Sequence, residues 1–297
     1  MIKAIKKYLK IILLKYFDFY FYKGHKLNEI LEYLFSFKKK IVFNDNTINF
    51  PMKSFFVYNF FKWENYENNC VKLFEVITKE FDTLIDVGAN IGFYSMLFCT
   101  EKNNRSLAVE LNYLTFYHLN IITKEKENIK TFNVGINNTE NFIYLPKYHP
   151  LKMSMNIKNK DYSELGTKKI RLTSIDQFLN ENLLDKDKEI INLIIKIDIE
   201  GSEKELFSKS EYTFKKFKPF FLLELHPNNL ISKNDKMEIL KQFENNLYLM
   251  SDVDQNLKKI FSTEFDDICN DKRKFLLCAP KEKTEQFLKV KEKYLKL

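Results

Sequence analysis

Four places in the sequence set an acidic side chain at the end of an apolar run, beside residues that bind ligands or move protons. Asp86 and Gly88 stand in Leu84-Ile85-Asp86-Val87-Gly88-Ala89-Asn90-Ile91-Gly92-Phe93-Tyr94-Ser95, and Glu110 closes Ser106-Leu107-Ala108-Val109-Glu110. Asp198 and Glu200 fall in Lys196-Ile197-Asp198-Ile199-Glu200-Gly201-Ser202-Glu203, and Glu224 and His226 in Glu224-Leu225-His226-Pro227. A carboxylate accepts hydrogen bonds from hydroxyls, attracts cations and takes protons. A histidine is the side chain whose ordinary pKa lies nearest neutrality. An acid in such a position also commonly caps the next helix. Capping accounts for any one of the four more easily than for all of them in one fold.

The elements around these residues alternate. Thr83–Val87 reads as a buried strand, Gly88 as a sharp turn, and the chain from about Ile91 to Cys99 as a helix. The sequence has six glycines, and two of them, Gly88 and Gly92, fall here. A strand follows at 106–110, then a helix over about Tyr113–Thr123 and a third strand at Ile129–Val134. Residues 139–170 break the alternation, reading as hairpins or an excursion from the sheet. Short elements are expected at Ile170–Leu172 and from Ile175 to Leu179. Ile190–Ile197 is apolar and β-branched, as a central parallel strand buried on both faces would be. A helix at Glu203–Phe207, a strand at Phe220–Leu225, a helix near Asp235–Phe243, strands at Tyr248–Ser251 and Lys274–Ala279 and a helix at Glu282–Tyr294 complete the pattern. The fold class expected is α/β, with a mostly parallel seven-stranded sheet and helices on both faces. Open parallel sheets bind ligands at the carboxyl ends of their strands, where all four acidic positions fall.

Spacing narrows the ligand. A dinucleotide site shows G-x-G-x-x-G, whose glycines admit a pyrophosphate, and a P-loop shows G-x-x-x-x-G-K-[ST]. The chain has neither. Asp86-x-Gly88-x-x-x-Gly92 offers backbone N–H groups near Gly88, Ala89 and Asn90 but no close approach for a pyrophosphate. Glu110, twenty-two residues past Gly88, is placed to accept both hydroxyls of a ribose. These features suit a nucleoside without phosphates. S-adenosylmethionine (SAM) is one, and its sulfonium is attracted to carboxylates such as Asp86. The expected cofactor residues are Asp86, Gly88, Ala89, Asn90, Gly92, Phe93 and Glu110.

Composition sets the outer bounds. The chain has 297 residues, 45% hydrophobic and 30% charged, with a formal net charge of +8. Its lysines are scattered rather than clustered, so the charge alone does not argue for nucleic acid. The N/D-P-P-Y/F motif of amino-methylating nucleic-acid enzymes is absent, and no specific nucleic-acid partner is expected. The four cysteines form no C-x-x-C pair and fit reduced thiols, suggesting a cytoplasmic protein. No stretch reaches the ~20 apolar residues of a membrane span. Lys3, Lys6, Lys7 and Lys10 share one helical face of residues 1–22, with Ile2, Ile5, Leu9 and Ile12 on the other. Such a helix covers the domain surface or makes a peripheral contact with the inner membrane face. The expected organisation is an aromatic, partly helical extension over 1–75, packed on a core of 76–297 that carries the 139–170 excursion.

With these residues in place, the chain resembles the FkbM-type SAM-dependent methyltransferases. The likeness rests on Ile85 to Gly92, Glu110, Asn133-Val134-Gly135, Thr173-Ser174-Ile175-Asp176, Lys196 to Glu203 and Leu223-Glu224-Leu225-His226, and spans about residues 60–280. Leu111 and Gly135 depart from the usual proline and alanine without removing a chemical group. The resemblance implies a class I SAM-methyltransferase fold, adds Asn133 to the cofactor residues, and implies O-methylation of a sugar or polyketide hydroxyl. A glycan precursor of polysaccharide biosynthesis is the acceptor so implied.

A hydroxyl needs its proton taken or weakened before it attacks a methyl group. Asp198 and Glu200 share a face if extended geometry persists past the strand. One would orient the acceptor and the other would take its proton. His226 is the other candidate base, and Glu224 completes the catalytic set. Paired acids also suit Mg²⁺, an option the sequence leaves open. The competing structural reading is that Ser202 and its neighbouring acids only cap the next helix. His118 is expected mid-helix, His149 in a solvated loop, and Trp63-Glu64 either in the core or over the ligand. Two other readings are a nucleic-acid methyltransferase and a non-catalytic scaffold of the same fold at a membrane. Residues 139–170 and the first 60 match nothing else and are expected to define the acceptor.

Overall fold

The computed structural model describes residues 38–44, 46–51, 67–146, 167–183, 192–270 and 272–297. The chain divides into two compact units, residues 1–67 and 68–297. In the first, β1 (Lys38–Phe43) and β2 (Asn46–Pro51) form an antiparallel hairpin. Asn44 takes a left-handed conformation at its turn (φ 47°). The basic helix expected over 1–22, Trp63-Glu64 and His149 lie outside the described residues.

The second unit runs α1 (Asn68–Glu80), β3 (Thr83–Val87), α2 (Phe93–Phe98), β4 (Arg105–Val109), α3 (Tyr113–Thr123), β5 (Ile129–Phe132), β6 (Val134–Ile136), β7 (Phe142–Pro146) and β8 (Thr167–Thr173). It continues through α4 (Ile175–Leu183), β9 (Leu193–Ile197), α5 (Glu203–Phe207), β10 (Phe220–Leu225), α6 (Lys233–Asn245), β11 (Tyr248–Asp252), β12 (Lys258–Ile260), α7 (Phe265–Ile268), β13 (Lys274–Pro280) and α8 (Thr284–Leu295). The main sheet has the order β12-β11-β13-β10-β9-β3-β4-β5. Strands β5, β4, β3, β9 and β10 are parallel, and β13 runs antiparallel between β10 and β11. The eighth strand, one beyond the seven expected, is β12, a three-residue edge antiparallel to β11.

This order places the site. From β3 the chain moves outward through β4 to β5, then returns to the other side of β3 with β9 and β10. The sheet therefore reverses direction between β3 and β9, and the crevice at their carboxyl ends is where such sheets bind ligands.

The third strand divides. Asn133 separates β5 from β6, and β6 leaves the main sheet to pair parallel with β8, which pairs antiparallel with β7. The cause is a side chain: Asn133 Nδ2 donates to the carbonyls of Glu110 (2.8 Å) and Leu111 (3.1 Å), drawing the backbone out of line. The excursion thus begins as a small second sheet; residues 147–166 lie outside the described residues.

The central strands β3 and β9 are buried on both faces, one face largely apolar and the other carrying two charged side chains toward the carboxyl ends. Ile85, Val87, Ile195 and Ile197 pack into one cluster with Phe178, Phe207, Phe214, Phe221 and Phe243. Burying each large side chain contributes roughly 1.5–3 kcal/mol. The intervening residues Asp86 and Lys196, which are register partners, share the opposite face.

Candidate active site

The first half of the site is the turn after β3. Gly88 has φ +78°, and a Cβ there would lie 1.8 Å from the carbonyl oxygen of Asp198. Only glycine fits. The reason is more than the tight turn expected from sequence: the β3 turn packs directly on the backbone after β9, where the Asp198 N–H also donates to the Val87 carbonyl at 3.0 Å. The N–H groups of Gly88 and Ala89 both donate to the Val109 carbonyl at 2.9 Å. They fix the turn against β4. Asn90 is left-handed (φ 53°), and Gly92 (φ +83°) leads into α2.

Glu110 sits just past β4 and is buried. Its Oε2 accepts from the Asn90 N–H at 2.9 Å and its Oε1 from the Asn112 N–H at 2.7 Å. The carboxylate therefore holds the β3 turn and the start of α3 together. Each oxygen retains a second acceptor position. Burial pushes its pKa up to about 7, although the two backbone donors favour the ionised form. Asn133 grips the Glu110 and Leu111 carbonyls, so it positions Glu110 from behind.

Asp86 lies underneath. Its Oδ2 accepts from Ser95 Oγ at 2.7 Å, and Ser106 Oγ donates to Ser95 Oγ at 2.9 Å. Burial raises its pKa against the opposing charge of Lys196. Two buried oxygens, Asp86 Oδ1 and Asn90 Oδ1, have no hydrogen-bond partner among the described residues. Unpaired acceptors, a buried carboxylate and a glycine turn are a lining that suits a cationic ligand carrying hydroxyl donors, as SAM is. Phe93, the first residue of α2, is half-buried.

The second half gathers after β9 and β10. His226 is the hub. Its Nδ1 donates to Glu203 Oε1 at 2.8 Å, while Nε2 faces Glu224 Oε1 at 3.3 Å and Asp198 Oδ1 at 3.5 Å. Of the three side chains facing that nitrogen's surroundings, Asp198 is 21% exposed, His226 7% and Glu224 3%. Asp198 is thus the most exposed of the three. Lys196, buried in β9, brings Nζ to 3.2 Å from Asp198 Oδ2 and lies 4.8 Å over the Tyr94 ring. Arg273 Nε stands 3.4 Å from Glu224 Oε1.

These neighbours set the charges. Burial would raise the Asp198 pKa, but Lys196 and then His226 outweigh it and hold the carboxyl below its ordinary range. Burial disfavours the imidazolium, yet the Glu203 hydrogen bond and the charges of Glu224, Glu203 and Asp198 push the His226 pKa up to about 9. So arranged, the carboxylates around His226 favour a positive charge at its Nε2, either a proton or another cation, which makes it a poorer proton acceptor than a free imidazole.

Two expectations meet a different geometry. Strand β9 ends at Ile197, and Glu200 is left-handed (φ 52°), so extended alternation does not carry from Asp198 to Glu200. Ser202 stands at the N-cap of α5 without a side-chain cap bond. Instead Glu203 turns back, accepting from the Gly201 N–H at 3.2 Å as well as from His226. The roles of Lys196 and Glu203 are new. A lysine inside an otherwise apolar β-branched strand was the available signal for the first. Helix-start acids are so common that nothing local marked the second. His118 is buried in α3, where burial lowers its pKa to about 4 and keeps it neutral. All four cysteines are buried free thiols. Among the described residues no helix is long and apolar enough to cross a membrane.

A family model described as the methyltransferase FkbM domain matches residues 86–259. Among solved structures, the methyltransferase domain of bacterial CtHen1-C is 12% identical, covering 72% of this chain and 96% of that one, with a TM-score of 0.38. Precorrin-6y C5,15-methyltransferase from Geobacter metallireducens is 11% identical over 72% and 87%, with a TM-score of 0.37. A putative rRNA methylase from Clostridium thermocellum is 8% identical over 73% and 97%, with a TM-score of 0.41. Among curated proteins none matches.

Proposed function

The chain belongs to the methyltransferase FkbM domain family, and from that premise we propose that it is a SAM-dependent O-methyltransferase acting on a hydroxyl of a sugar in a cell-surface glycan precursor. SAM, when bound, supplies a methyl group whose bond to sulfur breaks with the electron pair left on sulfur. Glu110 would hold its ribose hydroxyls, with Asn133 fixing Glu110 from behind, and Asp86 would draw its positive charge. Asn90, Gly88, Ala89, Gly92 and Phe93 would shape the wall.

One observation carries the reading. The Gly88 turn lies against the Asp198 carbonyl, so the cofactor turn and the acid–histidine cluster are a single piece of backbone architecture. Whatever occupies the turn is therefore presented to Asp198. Asp198 receives the acceptor hydroxyl and takes its proton as the new carbon–oxygen bond forms. Lys196 keeps that carboxylate ionised and oriented until then. Glu224 and His226, more deeply buried, fix its other side. The sugar acceptor is supported by the family resemblance; the second sheet and residues 147–166, with the first 60, are the segments left to select it. The protein would work on the cytoplasmic side, where SAM is made available.

Two measurements test this. Surface glycans from cells with and without the gene, compared by mass spectrometry, should differ by a methyl increment on a sugar. Purified Asp198→Asn should bind SAM like the wild type by calorimetry but lose turnover by about 10²–10⁴-fold, the range expected for loss of a proton acceptor. Identical glycans in the two strains, or full turnover in the variant, would overturn the substrate and the role of Asp198 respectively.

A further inference from the structure

We propose that Asp198, Glu224 and His226 form a binding site for a divalent cation, with Glu203 as the residue that positions the imidazole. One ligand atom from each of the three lies within 4.8 Å of the others. The two sides of the imidazole differ. At Nδ1 the contact with Glu203 is an ordinary charge-assisted hydrogen bond of 2.8 Å. At Nε2 the carboxylate oxygens stand back at 3.3 and 3.5 Å. Both distances exceed the roughly 2.7–2.9 Å of a charge-assisted N–H···O bond. They approach the ~3 Å edge of an octahedron whose ligands lie about 2.1 Å from Mg²⁺ or a similar ion.

The surroundings agree. A carboxylate on the far nitrogen of a histidine fixes the ring so that the near nitrogen presents its lone pair once the cation takes the place of the proton there, the usual support for a metal-binding imidazole. Glu203 makes that bond while fully buried, and its Oε2 has no hydrogen-bond partner among the described residues. A buried carboxylate so incompletely paired needs a reason beyond capping α5, since desolvating it is costly. Lys196 holds Asp198 by Oδ2, and Arg273 Nε stands 3.4 Å from Glu224 Oε1, the oxygen that also faces Nε2. Asp198 Oδ1 therefore remains the oxygen turned toward His226. Two carboxylates and one imidazole form a predominantly oxygen donor set, which favours Mg²⁺ or Mn²⁺ over softer ions. Three protein ligands leave coordination positions for acceptor oxygens. A hydroxyl held by the cation would be more acidic than a free one, and its proton would pass to the Asp198 carboxylate only as the carbon–oxygen bond forms. The cation thus deepens the reading of this cluster as the acceptor side of the site, on which it rests.

The test reads the cation directly. Full-length protein is treated with EDTA, desalted and titrated with MnCl₂, and free Mn²⁺ is followed by electron paramagnetic resonance. The wild type should remove Mn²⁺ from solution at one site per chain. Glu224→Gln and His226→Gln should each weaken that binding at least about tenfold, and Glu203→Gln by about 10–100-fold, the effect expected of a residue behind a ligand. SAM calorimetry on each variant reports folding, since the cofactor turn is made by other residues; a variant that no longer binds SAM is replaced by Asp198→Asn. No Mn²⁺ uptake by the wild type, or variants with intact SAM binding that take up Mn²⁺ as the wild type does, overturns the cation site. Mn²⁺ uptake lost in the variants, but with no methylated sugar under any condition, sustains the cation site and removes the O-methylation reading. Methyl transfer that persists in EDTA without Mn²⁺ uptake does the reverse.

Discussion

Glu110 is asked to do two things that pull its protonation in opposite directions. Burial raises its pKa from 4.5 to about 7, while ribose hydroxyls and the N–H groups of Asn90 and Asn112 all need the anion. The sign for the ligand-free protein follows from linkage. A raised folded pKa means that the folded state holds the proton more tightly than the unfolded chain, so stability falls as pH rises from 4.5 to about 7. SAM held through Glu110 as proposed would have the opposite dependence, because it would select the ionised form. Calorimetry across this range should therefore show SAM affinity rising several-fold between about pH 6 and pH 8. Glu110→Gln should bind more weakly and lose the pH dependence; an unchanged slope in that variant would remove Glu110 from the ribose. The position of Glu110 was legible as an acid ending a strand. Its grip on Asn90, twenty residues earlier, was not, because a left-handed asparagine carries no local mark. Nor was the pairing of Glu203 with His226 across 23 residues.

Among the elements, the strands were the most readable part. Thr83–Val87 and Phe220–Leu225 coincide with β3 and β10, since a strand buried on both faces is a continuous apolar run that ends where the run ends. The break between β5 and β6 was hidden, because it is caused by two tertiary hydrogen bonds from Asn133 rather than by a turn residue. The glycines show how far a local signal goes. Both Gly88 and Gly92 announce a left-handed backbone, worth about 1–2 kcal/mol against any other residue. Only the structure separates what each would collide with. A Cβ on Gly88 meets the Asp198 carbonyl at 1.8 Å, a backbone atom that cannot rotate away. A Cβ on Gly92 meets the Leu119 side chain at 2.6 Å, which can. Gly92→Ala should therefore lose about 1–2 kcal/mol in denaturant unfolding and weaken SAM binding far less than Gly88→Ala does. Gly88→Ala should lose more, and should lose SAM and Mn²⁺ binding together by displacing β9 from the turn. Equal destabilisation of the two variants would contradict the proposed packing of the turn on Asp198.

At the scale of the whole molecule, the chemistry is confined to one part of the chain. Every residue assigned to cofactor, proton transfer or cation lies between Asp86 and His226, within the family match over residues 86–259. All of these fall within the 68–297 unit. That unit holds the eight-stranded sheet and an aromatic cluster in which Phe207, Phe214, Phe221, Phe243 and Tyr248 touch one another through ring pairs 5.1–6.0 Å apart. Such pairs add about 0.5–1.5 kcal/mol each beyond the area they bury. A core of this size is enough for independent folding by the usual measure of domains. A fragment spanning residues 68–297 should therefore unfold cooperatively and bind SAM within about twofold of the full chain, since it holds every residue proposed for the cofactor. If the first 60 residues help to select the proposed sugar acceptor, turnover on it should fall far more. A fragment that folds and methylates the acceptor as fast as the full chain would move acceptor recognition wholly onto the second sheet and residues 147–166. A fragment that fails to fold would show instead that the catalytic unit depends on residues 1–67 for its stability, and the division of labour between donor and acceptor segments would have to be abandoned.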